Sequence, residues 1–301
     1  MKHLFSIEDL KKEDILKIVE KAQYIKKNPK KFSRSMYEKS MLMIFELPSL
    51  RTILSFETAM TQMGGHAINY YSTLSPWDVG KESIEDVGRV ISRYVDIAIA
   101  RISEHEEIIK LAKNSTIPII NALSNKEHPC QVLGDLLTIK EKIGKLNDLQ
   151  LTYLGDANNN VTYSLMYACK KMGIKMNIAC PKNKEFMPNK ESIRKTNTII
   201  FKNPIESVKN SDIIYTDSFM SYHIPKNKKQ RRIKILKPYQ VNDKIMNSAK
   251  KDAVFMHCLP ALRGEEVTSG VIDGKQSVVF QQAENRLHVQ KSIIQWCLGK
   301  M

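Results

Sequence analysis

The sequence predicts an α/β protein: two doubly wound parallel-sheet domains joined by interdomain helices, with the active site in the cleft between them. Three observations lead there. Short apolar runs alternate with stretches of helical periodicity, the pattern of βαβ units and a parallel sheet. The alternation restarts after one long helical stretch, so the chain holds two such sheets. Polar residues able to do chemistry stand just past the apolar runs, where open α/β sheets bind ligands.

Ser6 is expected to cap a first helix in which Ile15, Leu16, Ile18, Val19 and Ala22 recur at helical spacing. Residues 41–45 form a continuous apolar run and read as a buried strand. Glu46-Leu47-Pro48-Ser49 then loops into a second helix carrying Leu54, Phe56, Ala59 and Met60, which Gly64-Gly65 ends. Residues 67–71 read as a strand and 72–80 as a loop. Ile84, Val87, Val90, Ile91 and Tyr94 mark another helix. The strand 97–100 ends at Arg101, and a further helix and the strand 118–121 complete the first sheet.

The long helix runs from Pro129 to Ile143. Beyond it, strands are expected at 149–154, 176–179, 198–201, 212–215 and 253–256. A Gly155-Asp156 turn and a helix over 162–172 follow the first of these, and a last helix covers 287–298. The resulting domains are 1–145 and 146–280, with 281–301 as a C-terminal helix packing back on the first domain.

Composition narrows the function classes. The 301 residues are 42% apolar, ordinary for a globular protein. No apolar run approaches the ~20 residues that cross a bilayer, and no signal-peptide stretch opens the chain, so no membrane partner is expected. Five scattered cysteines without a CxxC pair point to neither a disulfide framework nor a zinc site, and fit a reducing cytoplasm. The net charge of +15 is spread over several lysine-rich stretches, including 182–195 and 226–237, without an aromatic-interleaved basic stripe. It reads as a solvated basic surface with a few cations reserved for an anionic substrate, not as a nucleic-acid interface.

Ser49-Leu50-Arg51-Thr52 stands where a strand hands over to a helix. Open N–H groups at a helix start, two hydroxyls and a guanidinium make an anion site; a plain serine cap followed by an exposed arginine is the simpler alternative. Arg101 at the end of an apolar strand calls for an anion or a carbonyl. His128-Pro129-Cys130-Gln131 opens the long helix, with proline where helices accept it. Near the end, Val254-Phe255 lead into Met256-His257-Cys258-Leu259-Pro260, followed by Arg263-Gly264-Glu265-Glu266 and Glu284-Asn285-Arg286. A buried structural cysteine is commoner than a catalytic one, so that cluster alone is ambiguous. Three strand ends followed by Arg51, by Arg101 and by His128 with Gln131 are hard to assign to chance.

Taken together, Ser49-Leu50-Arg51-Thr52, His128-Pro129-Cys130-Gln131, Gly155-Asp156 with Asn159-Asn160, and His257-Cys258-Leu259-Pro260 resemble the ordered motifs of the aspartate/ornithine carbamoyltransferase family. The His-Cys-Leu-Pro element, Gly264-Glu265-Glu266 and the stretch Ala283-Glu284-Asn285-Arg286-Leu287-His288 are most similar to its ornithine branch. The resemblance covers essentially the whole chain in order and spacing. It implies transfer of a carbamoyl group from carbamoyl phosphate to the δ-amine of L-ornithine, giving citrulline and phosphate in arginine metabolism, in either direction of that metabolism. It also implies that 1–145 binds carbamoyl phosphate and 146–280 the amino acid, with a homotrimer or an assembly of trimers as the active form.

Carried over residue by residue, the resemblance gives Ser49, Leu50, Arg51, Thr52, Arg101, His128 and Gln131 to carbamoyl phosphate, completed by Cys258, Leu259 and Arg286. It gives Asn160, Asp217, Ser221 and Tyr222 to ornithine. Arg51, Arg101, His128, Asp217 and Cys258 are the expected catalytic residues. The chemistry agrees: cations answer a dianionic donor, while Thr52, Arg101 and His128 suit an oxyanion forming on the carbonyl. Phosphate leaves readily, so no cofactor and no metal is expected. An alkyl amine is mostly protonated near neutrality, and Asp217 and Cys258 are the candidates to position it and take its proton.

Some positions depart from the family pattern. Ile53 replaces the second arginine of the phosphate motif, Leu50 its first threonine, and Leu47 a common lysine. Trp77 falls near a glutamine of the loop that in the family reaches a neighbouring subunit. Phe219, Ser221, Tyr222 and His223 stand where Trp, Ser, Met and Gly are usual, which leaves putrescine or N-acetylornithine as alternative acceptors. A dinucleotide-dependent oxidoreductase is the competing class, because Gly155 follows a strand; the turn lacks the full G-x-G-x-x-G pattern.

Overall fold

Lys12–Lys27 forms α1, with Ile15, Ile18, Val19, Ala22 and Ile25 buried along one face. The structure, a computed structural model, describes residues 2–71, 80–220 and 224–301. Ser6 does not cap this helix. Its hydroxyl bonds the Asp9 side chain and accepts from the Asp9 N–H, closing a separate turn upstream, and Lys11 occupies the cap position without a side-chain bond. A serine oxygen reaches backbone only two or three residues ahead, so Ser6 serves its own turn.

The chain divides into two compact units, Met1–Leu137 with Glu284–Met301, and Thr138–Ala283. In the first, β1 (Ser40–Phe45), α2 (Leu50–Gln62), β2 (His66–Tyr71), α3 (Ile84–Ile91), β3 (Ile97–Arg101), α4 (His105–Lys113) and β4 (Ile119–Leu123) alternate. The strands pair in parallel in the order β2-β1-β3-β4. Apolar side chains pack this sheet against its helices: Ile44, Ala98, Ala100 and Ile119 of the strands are buried together with Ile108 and Leu111 of α4. Each fully buried Ile or Leu contributes about 1.5–3 kcal/mol. Leu54, Val90 and Tyr94 do not join them; all three are exposed, because the apolar pattern of α2 and α3 continues onto the surface.

Strand order reverses between β1 and β3, and open α/β sheets hold ligands beyond the carboxyl ends at such a point. There Phe45 lies opposite Arg101. The chain leaves the first unit within α5 (Pro129–Ile143).

The second unit holds β5 (Gln150–Leu154), α6 (Asn160–Met172), β6 (Lys175–Ala179), α7 (Lys190–Thr196), β7 (Ile199–Phe201), α8 (Pro204–Val208) and β8 (Ile213–Thr216). After them come α9 (Lys229–Leu236), α10 (Asp243–Ser248), β9 (Val254–His257) and α11 (Ser269–Ile272). Its strands are parallel in the order β7-β6-β5-β8-β9, reversing between β5 and β8. Helices α7 and α9 form in the lysine-rich stretches 182–195 and 226–237, where Arg232 departs from the solvated reading by being buried. Asn189, Asn203 and Asn242 cap α7, α8 and α10 through their side chains.

The last helix, α12, spans Val279–Cys297 and starts well before residue 287. Its first turns bury polar groups: Gln282 accepts from the His257 N–H at 2.9 Å and donates to the Tyr215 hydroxyl at 3.1 Å. Inward-facing amides carry no hydrophobic period, so the helix start is invisible to an apolar count. No described helix is long and apolar enough to cross a membrane.

Candidate active site

In the first unit, the turn after β1 delivers Ser49 to the N-cap of α2. Its Oγ accepts from the Thr52 N–H at 3.3 Å and donates to Thr52 Oγ1 at 3.0 Å. Leu50 is 68% exposed and its side chain has no hydrogen-bond donor, so only its backbone N–H can bond an anion there. Arg51 is half-buried on the same turn. Thr52 is buried and also accepts from Arg286 Nη2 at 3.5 Å, while Arg286 Nη1 donates to Gln131 Oε1 at 2.6 Å. Gln131 in turn donates to Asp135 at 2.9 Å. Gly134 packs against this arginine: a Cβ there would meet Arg286 Cδ at 3.4 Å, an ordinary contact distance.

Arg101 is buried at the end of β3 and its Nε donates to the Leu47 carbonyl at 3.2 Å. His128 is buried at the head of α5. Burial, then the charges of Arg286 and Arg101, holds its imidazole well below the ordinary value of 6.5. A neutral imidazole within the field of two guanidinium groups suits a polarised carbonyl oxygen, and the guanidinium groups suit a phosphate. The neighbouring Cys130 thiol is pushed up to about 12 by burial and donates to the Asn121 carbonyl, so it is a packing residue.

In the second unit, the switch between β5 and β8 and the adjacent end of β9 gather the other expected residues. Thr216 pairs with His257, and the residues that follow them, Asp217 and Cys258, meet. The Cys258 thiol donates to Asp217 Oδ1 at 3.0 Å, and the Ser218 N–H donates to the same oxygen at 2.7 Å. Asn160 opens α6, half-buried, behind the Asn159 cap. Leu259 follows Cys258 with φ 57°, a left-handed backbone that costs a β-carbon residue about 1–3 kcal/mol. Its N–H donates to His257 Nδ1 at 2.8 Å, which fixes the imidazole proton on Nε2. That nitrogen faces Glu266 Oε1 at 3.3 Å, with both side chains fully buried. Ser221, Tyr222, His223 and Trp77 lie outside the described residues.

Asp217, His257 and Cys258 each offer a ligand atom within 4.8 Å of the others. A cation could use all three only by displacing the Cys258–Asp217 bond and the contacts of the His257 ring.

Several positioning groups carry no sequence signal of their place. Glu266 is legible only as part of a motif; that it faces His257, nine residues earlier, comes from the fold. Tyr153, Asp156 and Asn159 form a buried network in which the Tyr153 hydroxyl donates to the Asp156 carbonyl at 2.8 Å. Asp156 is pushed up to about 6, burial outweighing the attraction of Arg232.

Two sequence models match the chain. The carbamoyl-P binding domain of aspartate/ornithine carbamoyltransferases covers residues 2–141, and their Asp/Orn binding domain covers residues 147–297. The chain is 46% identical to an ornithine carbamoyltransferase of Archaeoglobus fulgidus, over 100% of this chain and 98% of that protein. It is 44% identical to one of Bacillus subtilis, over 99% and 94%. The solved ornithine carbamoyltransferase from Pyrococcus furiosus superposes with a TM-score of 0.93 at 40% identity, covering 100% of this chain and 98% of that one.

Proposed function

The chain belongs to the aspartate/ornithine carbamoyltransferase family, and on that footing we propose how its residues transfer the carbamoyl group of carbamoyl phosphate to the δ-amine of L-ornithine. The observation that carries the reading is the Thr52–Arg286–Gln131 chain of hydrogen bonds beside Arg101 and a neutral His128. It supplies fixed donors for a small, doubly charged acyl phosphate.

In this proposal the phosphate is held by Ser49, Thr52, Arg51 and the backbone N–H of Leu50, with Arg101 and Arg286 answering its charge. Arg101, His128 and Thr52 donate to the carbonyl oxygen as it becomes an oxyanion. Gln131 sets the Arg286 fork. Cys258 and Leu259 carry the family's donor-site roles from the second unit. Asp217, Asn160, Ser221 and Tyr222 take the amino acid. The amine nitrogen bonds to the carbonyl carbon, the carbon–oxygen bond to phosphate breaks, and phosphate departs with the electron pair. The proton leaving the nitrogen goes to Asp217 or, through it, is shared with Cys258. Orientation of two small reactants supplies much of the rate.

Incubation with carbamoyl phosphate and a panel of L-ornithine, putrescine and N-acetylornithine tests the reading. Citrulline from ornithine at the highest kcat/KM is expected; preference for either other amine would replace ornithine as the acceptor.

We also propose a homotrimeric active form. Strand β2 is the edge of the first sheet and exposes Ile68, Tyr70 and Tyr71, while α3 and the turn after it expose Val90 and Tyr94. An apolar groove of about 340 Å³ lies among them. Contiguous apolar surface beside a strand edge that no other described strand pairs with fits a subunit contact. A cytoplasmic setting is proposed on five free thiols, of which only Cys258 is not buried.

A further inference from the structure

Arg232 on α9 is buried, yet nothing in the transfer chemistry above uses it. Its guanidinium reaches three separate segments of the second unit. Nε donates to the Phe219 carbonyl at 3.1 Å, Nη1 to Glu185 Oε1 at 3.0 Å, and Nη2 to Asp156 Oδ2. Its face lies over the Phe186 ring, 4.8 Å from the centroid. Taking an arginine out of water is costly unless its donors are met, and a planar fork can serve three acceptors in fixed directions.

Of those three segments, one carries Asp217. Phe219 follows it by two positions and is clamped twice: its carbonyl by Arg232, its ring by Phe186 and Leu236 in a small apolar cluster. The ring also rests against Gly155, where a Cβ would stand only 2.8 Å from Phe219 Cε1. The Ser218 side chain closes the turn, accepting from the Met220 N–H at 3.1 Å.

We infer that Arg232 is a positioning residue for the amine acceptor. By holding the Phe219 carbonyl it fixes the direction of Asp217, and so sets affinity for ornithine without touching either substrate. The inference rests on the reading of Asp217 as the acceptor-binding carboxylate.

The test is steady-state kinetics on the full chain with Arg232→Lys, varying L-ornithine at saturating carbamoyl phosphate and then the reverse. The KM for ornithine should rise about tenfold or more, as misplacing a positioning group does. The KM for carbamoyl phosphate should stay within about twofold. A purely structural role would shrink the folded fraction, lowering apparent kcat while leaving both KM values unchanged. Glu185→Gln removes one charge from the half-exposed end of the same guanidinium contact and should raise the ornithine KM by about two- to threefold. It decides the matter if Arg232→Lys does not fold. An active wild type whose ornithine KM is unmoved by the deciding variant, or whose two KM values rise together, overturns the inference alone. A wild type that forms no citrulline overturns the proposed function, and this inference with it.

Discussion

Asp217 and Cys258 stand one residue beyond the paired Thr216 and His257, and the thiol donates to the carboxylate at 3.0 Å. Parallel register alone brings them together: two adjacent strands end level, and the chain past each end points into the same space. The Ser218 N–H bonds the same carboxylate oxygen; in the proposed reaction this carboxylate receives the ammonium and later a proton.

Asp217→Asn keeps the shape but removes the charge and the basicity. Its kcat/KM for ornithine should fall about 10²-fold or more, while the KM for carbamoyl phosphate changes little. Cys258→Ser keeps a donor toward Asp217 and should cost markedly less. Citrulline formation at varied ornithine measures both; equal losses would move the essential chemistry onto the thiol.

Arg286→Ala removes the donor to Gln131 and Thr52 together with one cation of the proposed donor site. Hydrogen bonds to charged groups are worth about 1.5–3 kcal/mol, so binding of carbamoyl phosphate should weaken about 10- to 100-fold. Calorimetric titration reads this without turnover, and unaltered binding would take Arg286 out of the donor site.

How much of this was legible follows from what each element buries. β1 and β3 are continuous apolar runs and α5 starts at a proline, so their ends, and hence Arg101 and His128, were readable. The start of α12 was not, because Gln282 and Asn285 face inward as polar side chains. Arg232 was hidden for the same reason: in a lysine-rich stretch one more cation looks solvated, and only the fold brings Asp156 and Glu185 to it. Charge and period are local properties, whereas a buried polar partner is a tertiary one.

His128 gives the protein an acid-side weakness of calculable sign. The folded imidazole resists a proton that the unfolded chain accepts near 6.5, so the unfolded state binds more protons below that value. Stability therefore falls as pH drops through 6.5 toward the lowered folded value. His3, His105 and His288 are lowered too, with burial as the first cause, so the wild-type curve sums several groups. His128→Gln should give a shallower decline in urea midpoint between about pH 7 and pH 5. Parallel curves would show that His128 keeps an ordinary affinity for its proton.

Gly155 has φ 115°, and an added Cβ would press on the Phe219 ring at 2.8 Å. Gly155→Ala should therefore cost about 1–3 kcal/mol in backbone strain alone. It should also raise the ornithine KM, because relief of the contact moves the segment that carries Asp217. Chemical denaturation and steady-state kinetics on the same preparation separate the two effects. A variant with wild-type stability would mean that the turn relaxes freely.

Tyr94 offers the cleanest test of the proposed trimer. At 79% exposure within a single chain it packs on almost nothing, so Tyr94→Glu should change the stability of an isolated chain by less than about 0.5 kcal/mol. At a subunit contact the same change buries a carboxylate against the apolar groove lined by Leu42, Ile44 and Val87, where it has no water. Sedimentation equilibrium should then show the wild type as a trimer and Tyr94→Glu shifted toward monomer, with normal circular dichroism. An unchanged mass in a folded variant would put the subunit contact elsewhere, because a carboxylate cannot be carried into an apolar interface without weakening it.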